Sequence, residues 1–396
     1  MAKRTLDQLT VTGRRVFLRV DVNVPLTGGV IGDDTRIRAS LPTIARLRER
    51  GAAVVILASH LGRPKGKSNA DMSLAPVATR LSELLGTPVE FAGDCIGEPA
   101  ERAVAATPRG GVVLLENLRF HPEEEKNDPA FARQLASLAD VYVNDAFGAA
   151  HRAHASVEAI VRLMPDAGAG LLMERELRFL GQALGDPQRP FAAVIGGAKV
   201  SDKIEVIENL VPRVDRLLIG GAMAYTFFKA MGYPVGRSLV EDDKVGAAQH
   251  LIERARARSL ALLLPQDHVV AEKLAGGIAI DTLAVDDPAI GNRMGLDIGP
   301  RTVAAYAGAL SDAKTVIWNG PMGVFEIDEF ARGTMAVAEA VAQVNGTTII
   351  GGGDSIAAVN KAGVADRITH ISTGGGASLE FLGGRALPGV AVLPDV

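Results

Sequence analysis

Two groups of basic residues in this 396-residue chain have the types and placement to hold oxyanions. The first is a set of arginines. Arg63, Arg119 and Arg152 each follow an apolar run by a few residues, and Arg36 and Arg38 open a helical stretch. Guanidinium grips carboxylate or phosphate through paired N–H donors, so arginines arriving at one rim predict a clamp for a small anion. Asp21, Asn23, His60, Leu61 and Gly62 fall at the same strand ends. The second group is Gly196-Gly197-Ala198-Lys199-Val200-Ser201-Asp202-Lys203. Two glycines after an apolar run let backbone N–H groups approach an anion, and lysines four apart share one face of a helix start. That pair reads either as solvated lysines on a helix or as a phosphate site.

These residues need elements to carry them. Apolar runs predict strands at 16–20, 53–58, 112–115 and 141–143, alternating with helical spacing at 35–50, 74–85 and 129–138. The pattern repeats after residue 190, with strands at 191–195, 216–219, 315–318, 347–350 and 369–372 and helices at 200–210, 222–230, 300–309, 329–344, 355–362 and 377–382. Such alternation means βαβ units and a parallel sheet in each half, with ligands at the carboxyl ends of the strands. A helix over Leu171–Leu184, stopped by Gly185-Asp186-Pro187, marks the domain connection.

Bulk properties narrow the partners. A chain of this length exceeds one typical core, so two domains are expected. The net charge of −4 argues against a nucleic-acid protein. Residues 1–190 hold 20 of the 31 arginines yet nearly equal numbers of acids and bases, so the arginine excess suits a small anionic substrate rather than a polyanion. One cysteine, Cys95, excludes an internal disulfide and suits a reducing cytosol, where it reads as a small buried residue. The start of the chain carries no signal-like apolar core, no 18-residue apolar run occurs, and a cytoplasmic protein is expected.

Other motifs are weaker. Gly66-Lys67-Ser68 resembles the end of a phosphate-binding loop, but the required glycine is replaced by Leu61. No G-x-G-x-x-G occurs, which disfavours a dehydrogenase. Asp354, after Gly351-Gly352-Gly353 and before Ser355, is open between a helix cap and a ligand for Mg²⁺. Glu326 is open between a ribose contact and a solvated residue. His60 and His151 read as oxyanion donors or structural hydrogen-bonders; with His154 they lack zinc spacing. The run Glu123-Glu124-Glu125 reads as solvated, and His121 as a loop residue.

Seven motifs then stand together: Arg19-Val20-Asp21-Val22-Asn23-Val24-Pro25, Ser59-His60-Leu61-Gly62-Arg63-Pro64, Leu115-Glu116-Asn117-Leu118-Arg119-Phe120, His151-Arg152-Ala153-His154, the 196–203 stretch, Trp318-Asn319-Gly320-Pro321-Met322-Gly323-Val324-Phe325-Glu326 and Gly351-Gly352-Gly353-Asp354-Ser355. In this order, across nearly the whole chain, they resemble the phosphoglycerate kinase family. The resemblance implies an α/β fold of two doubly wound, Rossmann-like parallel-sheet domains around a cleft. They would comprise 1–170, with 376–396 returning to it, and 186–375, joined by a hinge helix at 171–185. It implies a monomeric glycolytic kinase that moves a phosphoryl group reversibly between 1,3-bisphosphoglycerate and MgADP, giving 3-phosphoglycerate and MgATP. Asp21, Asn23, Arg36, His60, Leu61, Gly62, Arg63, Arg119 and Arg152 would then bind phosphoglycerate. Lys199, Lys203, Gly295, Asn319, Glu326, Gly352, Gly353, Asp354 and Ser355 would bind ADP or ATP, with Asp354 on Mg²⁺. Arg36, Lys199 and the backbone at Gly353 would hold the moving phosphoryl group. Ala149, Ala222 and Gly383-Gly384 depart from the family pattern; the first two are expected to tune affinity, the third to loosen the tail.

Overall fold

The computed structural model describes residues 3–396, which divide into two units. One runs to Arg178 and includes Ala386–Val396; the other is Phe179–Arg385. The division falls inside a helix, Leu171–Gly185. Residues 376–385, expected with the first domain, belong to the second unit, where helix Gly376–Leu382 lies on helix Ile204–Leu210.

In the first unit the main-sheet strands are β1 (Arg15–Arg19), β2 (Val54–Ala58), β3 (Val89–Phe91), β4 (Gly111–Leu114), β5 (Val141–Asn144) and β6 (Ala167–Ala169). They form one parallel sheet in the order β3-β4-β2-β1-β5-β6. Helices on both faces cover it, so β2, Val-Val-Ile-Leu-Ala, is buried at every position. Leu18, Val55, Leu57 and Val143 join Ile37, Ile44 and Leu47 of helix α1 (Thr35–Glu49) in a single core. The chain runs from β1 to β2 on one side and returns to β5 on the other. The carboxyl ends of β1 and β5 therefore flank the switch point where such sheets bind ligands.

The second unit repeats the plan. Strands β7 (Phe191–Ile195), β8 (Arg216–Ile219) and β9 (Ala261–Leu263) share a parallel sheet with β13 (Thr315–Asn319), β14 (Thr347–Gly351) and β15 (His370–Ile371), ordered β9-β8-β7-β13-β14-β15. Here the switch point lies between β7 and β13. Gly196 N donates to Asn319 O (2.9 Å) and Gly197 N to Pro321 O (2.9 Å), joining the two strand ends. A Cβ on Gly196 would sit 2.2 Å from Pro321 O, so only glycine permits that approach. A small antiparallel sheet of β10 (Asp267–Ala271), β11 (Asp281–Ala284) and β12 (Met294–Ile298), absent from the sequence reading, is added at this end.

The helix expected over 200–210 begins only at Ile204. Ser201 is the reason: its N–H donates to Glu241 Oε2 (3.0 Å) and its hydroxyl to Glu241 Oε1 (2.5 Å), which takes that backbone out of the helical ladder. Lys199 and Lys203 therefore do not share a helical face. Lys203 caps the helix and Lys199 stands on the loop before it.

Candidate active site

In the first unit the loops after β1, β2, β4 and β5 bring most of the expected residues together. Arg36, on the first turn of α1, donates from Nη1 to Asp21 Oδ1 (3.0 Å) and Oδ2 (3.1 Å) and to Asn23 O (3.4 Å). Gly62 N donates to Asn23 Oδ1 (2.9 Å), and Arg119 Nη1 donates to Gly62 O (2.8 Å). Arg119 is buried, with Glu125 3.3 Å from its Nε. Arg152 Nε donates to His151 Nε2 (3.1 Å). Leu61 is buried, its N–H held by Asn117 Oδ1 (3.2 Å). Arg63, next to Gly62, is exposed.

The electrostatics mark this place as a cationic basin. Burial drives the His60 imidazole well below its ordinary range, and Arg19, Arg119, His154 and Arg36 push it further. Burial also takes His154 down to about 3, with Arg119, Arg19 and Arg152 adding to the shift. Arg119 itself falls to about 10 because it is desolvated among Arg152 and Arg19. Both histidines are therefore neutral at physiological pH, and the unpaid positive charge is what an anionic ligand would meet. The sign for stability follows. As pH falls from 6.5 toward about 3, the unfolded chain takes up a proton at His154 that the folded chain refuses, so stability is lost across that window. His154→Gln is expected to show a smaller drop in Tm than wild type between pH 6.5 and about 4 by calorimetry. Equal drops would remove His154 from the account.

Three residues under this basin escaped the sequence reading. Arg19, on β1, is fully buried. Its Nε donates to Ser156 Oγ (2.9 Å) and its Nη2 meets His60 Nδ1 (3.1 Å). Ser156 in turn bonds Glu124. Glu124 corrects the expectation of a solvated glutamate run: it is fully buried while Glu125 is exposed. The short helical turn Pro122–Glu125 rotates consecutive side chains about 100° apart, so one of the run must face inward.

In the second unit, Asn319 at the end of β13 is buried and accepts a hydrogen bond from Lys203 Nζ. Desolvation lowers Lys203 below its ordinary range, opposed by Asp202 and Asp354. Gly352 adopts φ 92°, a left-handed conformation, and a Cβ there would sit 3.0 Å from Asn319 Nδ2. Helix Gly353–Lys361 starts directly after it, and Ser355 Oγ accepts from Gly320 N (2.6 Å). Asp354 and Lys199 are exposed.

A cavity of about 480 Å³ opens beside these residues, within the second unit. Ala198, Ala222, Gly295, Glu326 and Asp354 line it, with Leu239 and Leu274 as an exposed apolar lip. Its floor carries Tyr225, His268 and Asp297, none of them anticipated. The Tyr225 hydroxyl meets His268 Nδ1 (2.7 Å), and His268 Nε2 is buried without a hydrogen-bond partner among the described residues. Burial raises Asp297 to about 7, although Gly333 N and Ile298 N donate to it. A Cβ on Gly295 would fall 1.4 Å from the Tyr225 hydroxyl. Gly295→Ala is expected to cost about 1–3 kcal/mol by overpacking against the Tyr225 ring, read as a lower Tm by calorimetry. Unchanged melting would refute this packing.

Among the described residues, one His/Cys/carboxylate group outside both sites has metal-compatible spacing: Asp94, Cys95 and His121. Asp94 Oδ1 there already accepts from Cys95 N (2.6 Å) and meets His121 Nε2 (2.7 Å), so hydrogen bonding accounts for the cluster.

Two doubly wound parallel sheets, one with a cationic basin at its strand ends and the other with a glycine-lined cavity edged by Glu326 and Asp354, mark the chain as a two-unit α/β protein with a pocket or basin at each switch point. The family model for phosphoglycerate kinase matches residues 6–385, and the chain belongs to that family. It is 60% identical over 395 residues to phosphoglycerate kinase of Moorella thermoacetica and 59% over 396 residues to that of Pelotomaculum thermopropionicum, covering the full length of each pair. The solved structure of phosphoglycerate kinase from Coxiella burnetii aligns with a TM-score of 0.90 at 41% identity over 98% of each chain. That from Pyrococcus horikoshii gives 0.85 at 36%, over 99% of this chain and 98% of the other.

Proposed function

We propose that this chain transfers a phosphoryl group reversibly from 1,3-bisphosphoglycerate to MgADP, giving 3-phosphoglycerate and MgATP, as a step of glycolysis. The observation that carries the reading is the basin in which Arg19, Arg36, Arg119 and His154 all act on His60. Asp21, Asn23, Arg36, His60, Leu61, Gly62, Arg63, Arg119 and Arg152 are assigned to phosphoglycerate. Lys199, Lys203, Gly295, Asn319, Glu326 and Gly352 to Ser355 are assigned to the nucleotide.

An acyl phosphate is already activated, so the protein supplies position and neutralising charge rather than a nucleophile. Arg36 and Lys199 hold the equatorial oxygens of the moving group, and the backbone N–H groups at Gly353–Ser355 add donors for in-line transfer. Asp354 is an exposed carboxylate at the start of a helix, and Mg²⁺ takes few carboxylates beside phosphates and waters, so the residue fits the ion. When bound, Mg²⁺ offsets nucleotide charge. Substrates carried by separate units require closure, and helix Leu171–Gly185 is assigned the hinge. A coupled assay of ATP formation from 1,3-bisphosphoglycerate and ADP tests the reading. Binding of both ligands without turnover would mark a non-catalytic member, and no binding would end the proposal.

A further inference from the structure

Glu124, Ser156 and Arg19 form a chain of hydrogen bonds whose direction is set at every step. Arginine only donates. Arg19 Nε therefore donates to Ser156 Oγ (2.9 Å), and Arg19 Nη2 donates to His60 Nδ1 (3.1 Å). Ser156, receiving Arg19 on its oxygen, turns its own proton to Glu124 Oε1, while Ser156 N donates to Glu124 Oε2 (2.9 Å). The residues come from four separate places in the chain and all are buried; Arg19, Glu124 and Ser156 are wholly so. A third acceptor for Arg19 is its neighbour's carbonyl, Val20 O. The guanidinium is thus tethered at all three of its nitrogens, and its plane is fixed.

From this geometry we infer that Glu124 and Ser156 are positioning residues, which through Arg19 hold His60 in the tautomer that carries its proton on Nε2. Because Nδ1 must accept from Arg19, the remaining ring proton of the neutral imidazole sits on Nε2. Among the described residues Nε2 makes no hydrogen bond and is not a buried unpartnered atom. His60 thus presents a fixed donor to the basin, and an oxyanion placed there receives an N–H rather than a lone pair. Glu124 supplies the buried negative charge that faces Arg19 and, at 4.0 Å from Nδ1, His154. Burial pushes the Glu124 carboxyl up, and Arg19 with the two Ser156 donors pulls it back. The inference rests on the phosphoglycerate reading only for what His60 Nε2 touches; the tautomer itself does not depend on it.

The test is long-range ¹H–¹⁵N NMR of the free, full-length protein, with the His60 signal among the seven histidines identified by its loss in His60→Gln. Wild type is expected to show His60 as the neutral Nε2–H form; an Nδ1–H or mixed form overturns the inference whatever the substrate. In Ser156→Ala and Glu124→Gln the signal is expected to move toward a tautomer mixture. The KM for 3-phosphoglycerate should rise by about tenfold, the low end of the loss seen when the hydrogen-bond partner that orients a metal-binding histidine is removed, while the KM for ATP holds. Unmoved signals and an unmoved KM in folded Ser156→Ala would overturn it. If both variants fail to fold, the wild-type tautomer still decides. A confirmed Nε2–H form with no phosphoglycerate binding would instead fault the proposed function.

Discussion

Lys199→Ala is expected to lower kcat about 10²–10³-fold, the usual effect of removing one donor to a developing charge, and to leave the melting temperature where it was. The second half of that statement comes from the structure. Lys199 is exposed on the loop after β7 and has no hydrogen bond, ion pair or ring contact among the described residues. Nothing in the fold depends on its ammonium. Lys203, four residues on, is different: it is half-buried and donates to Asn319, so its removal would strand a buried amide oxygen. The pair Lys199→Ala and Lys203→Ala therefore separates a residue kept for chemistry from one that also supports the site. Steady-state kinetics beside calorimetry reads both. Near-wild-type turnover in Lys199→Ala would withdraw its role.

Arg36→Ala is the other large effect, expected to reduce kcat by a similar two to three orders of magnitude, about 10²–10³-fold. Here the fold is involved. Arg36 spans both oxygens of Asp21 and reaches Asn23 O, so the substitution also frees the loop after β1. The pair is partly exposed, and its own contribution to stability is small. Arg36→Lys keeps the charge but not the planar fork, and should recover only part of the rate. If Arg36→Lys matched wild type, simple charge would suffice and bidentate grip would be unnecessary. A full loss of folding in Arg36→Ala, seen as loss of the cooperative melt, would count against the catalytic assignment.

What the sequence made legible depended on how strongly each element signals its own conformation. Val54–Ala58 and Phe191–Ile195 are unbroken apolar runs buried on both faces, and they were readable for that reason. Val89–Phe91 and Ala167–Ala169 are three residues each, too short to stand out. The antiparallel strands at 267–298 mix charged with apolar residues, and the edge strand Asp281–Ala284 is exposed at both Asp281 and Thr282, so no alternating pattern announces them. Helix Val245–Ala257 has two alanines, Ala248 and Ala255, beside Leu251 and Ile252 on its buried stripe and gives a weak apolar period. The arginines on loop ends were visible because their spacing from each strand is local. Arg19 was not singled out, since an arginine inside an apolar strand has no local mark of function; only the partners at 60, 124 and 156 give it one. Glu124 was misread for the same reason: a run of three acids looks solvated until the turn that holds it is known. Tyr225 and His268 meet across 43 residues, and no pattern within either segment announces the pair.

The last eleven residues close the first unit against the first few. Lys3 Nζ bonds Leu393 O (2.8 Å) and pairs with Asp395 (2.8 Å), and Arg4 N donates to Pro394 O (2.8 Å). The second unit is one uninterrupted stretch, Phe179–Arg385, whereas the first is assembled from both ends of the chain. Synthesis runs from the amino end, and domains fold as units while it proceeds. The first unit therefore cannot be completed until Ala386–Val396 has followed the whole of the second unit out of the ribosome. A chain cut at Arg385 would carry every residue of the second unit beside a first that lacks its closing strap.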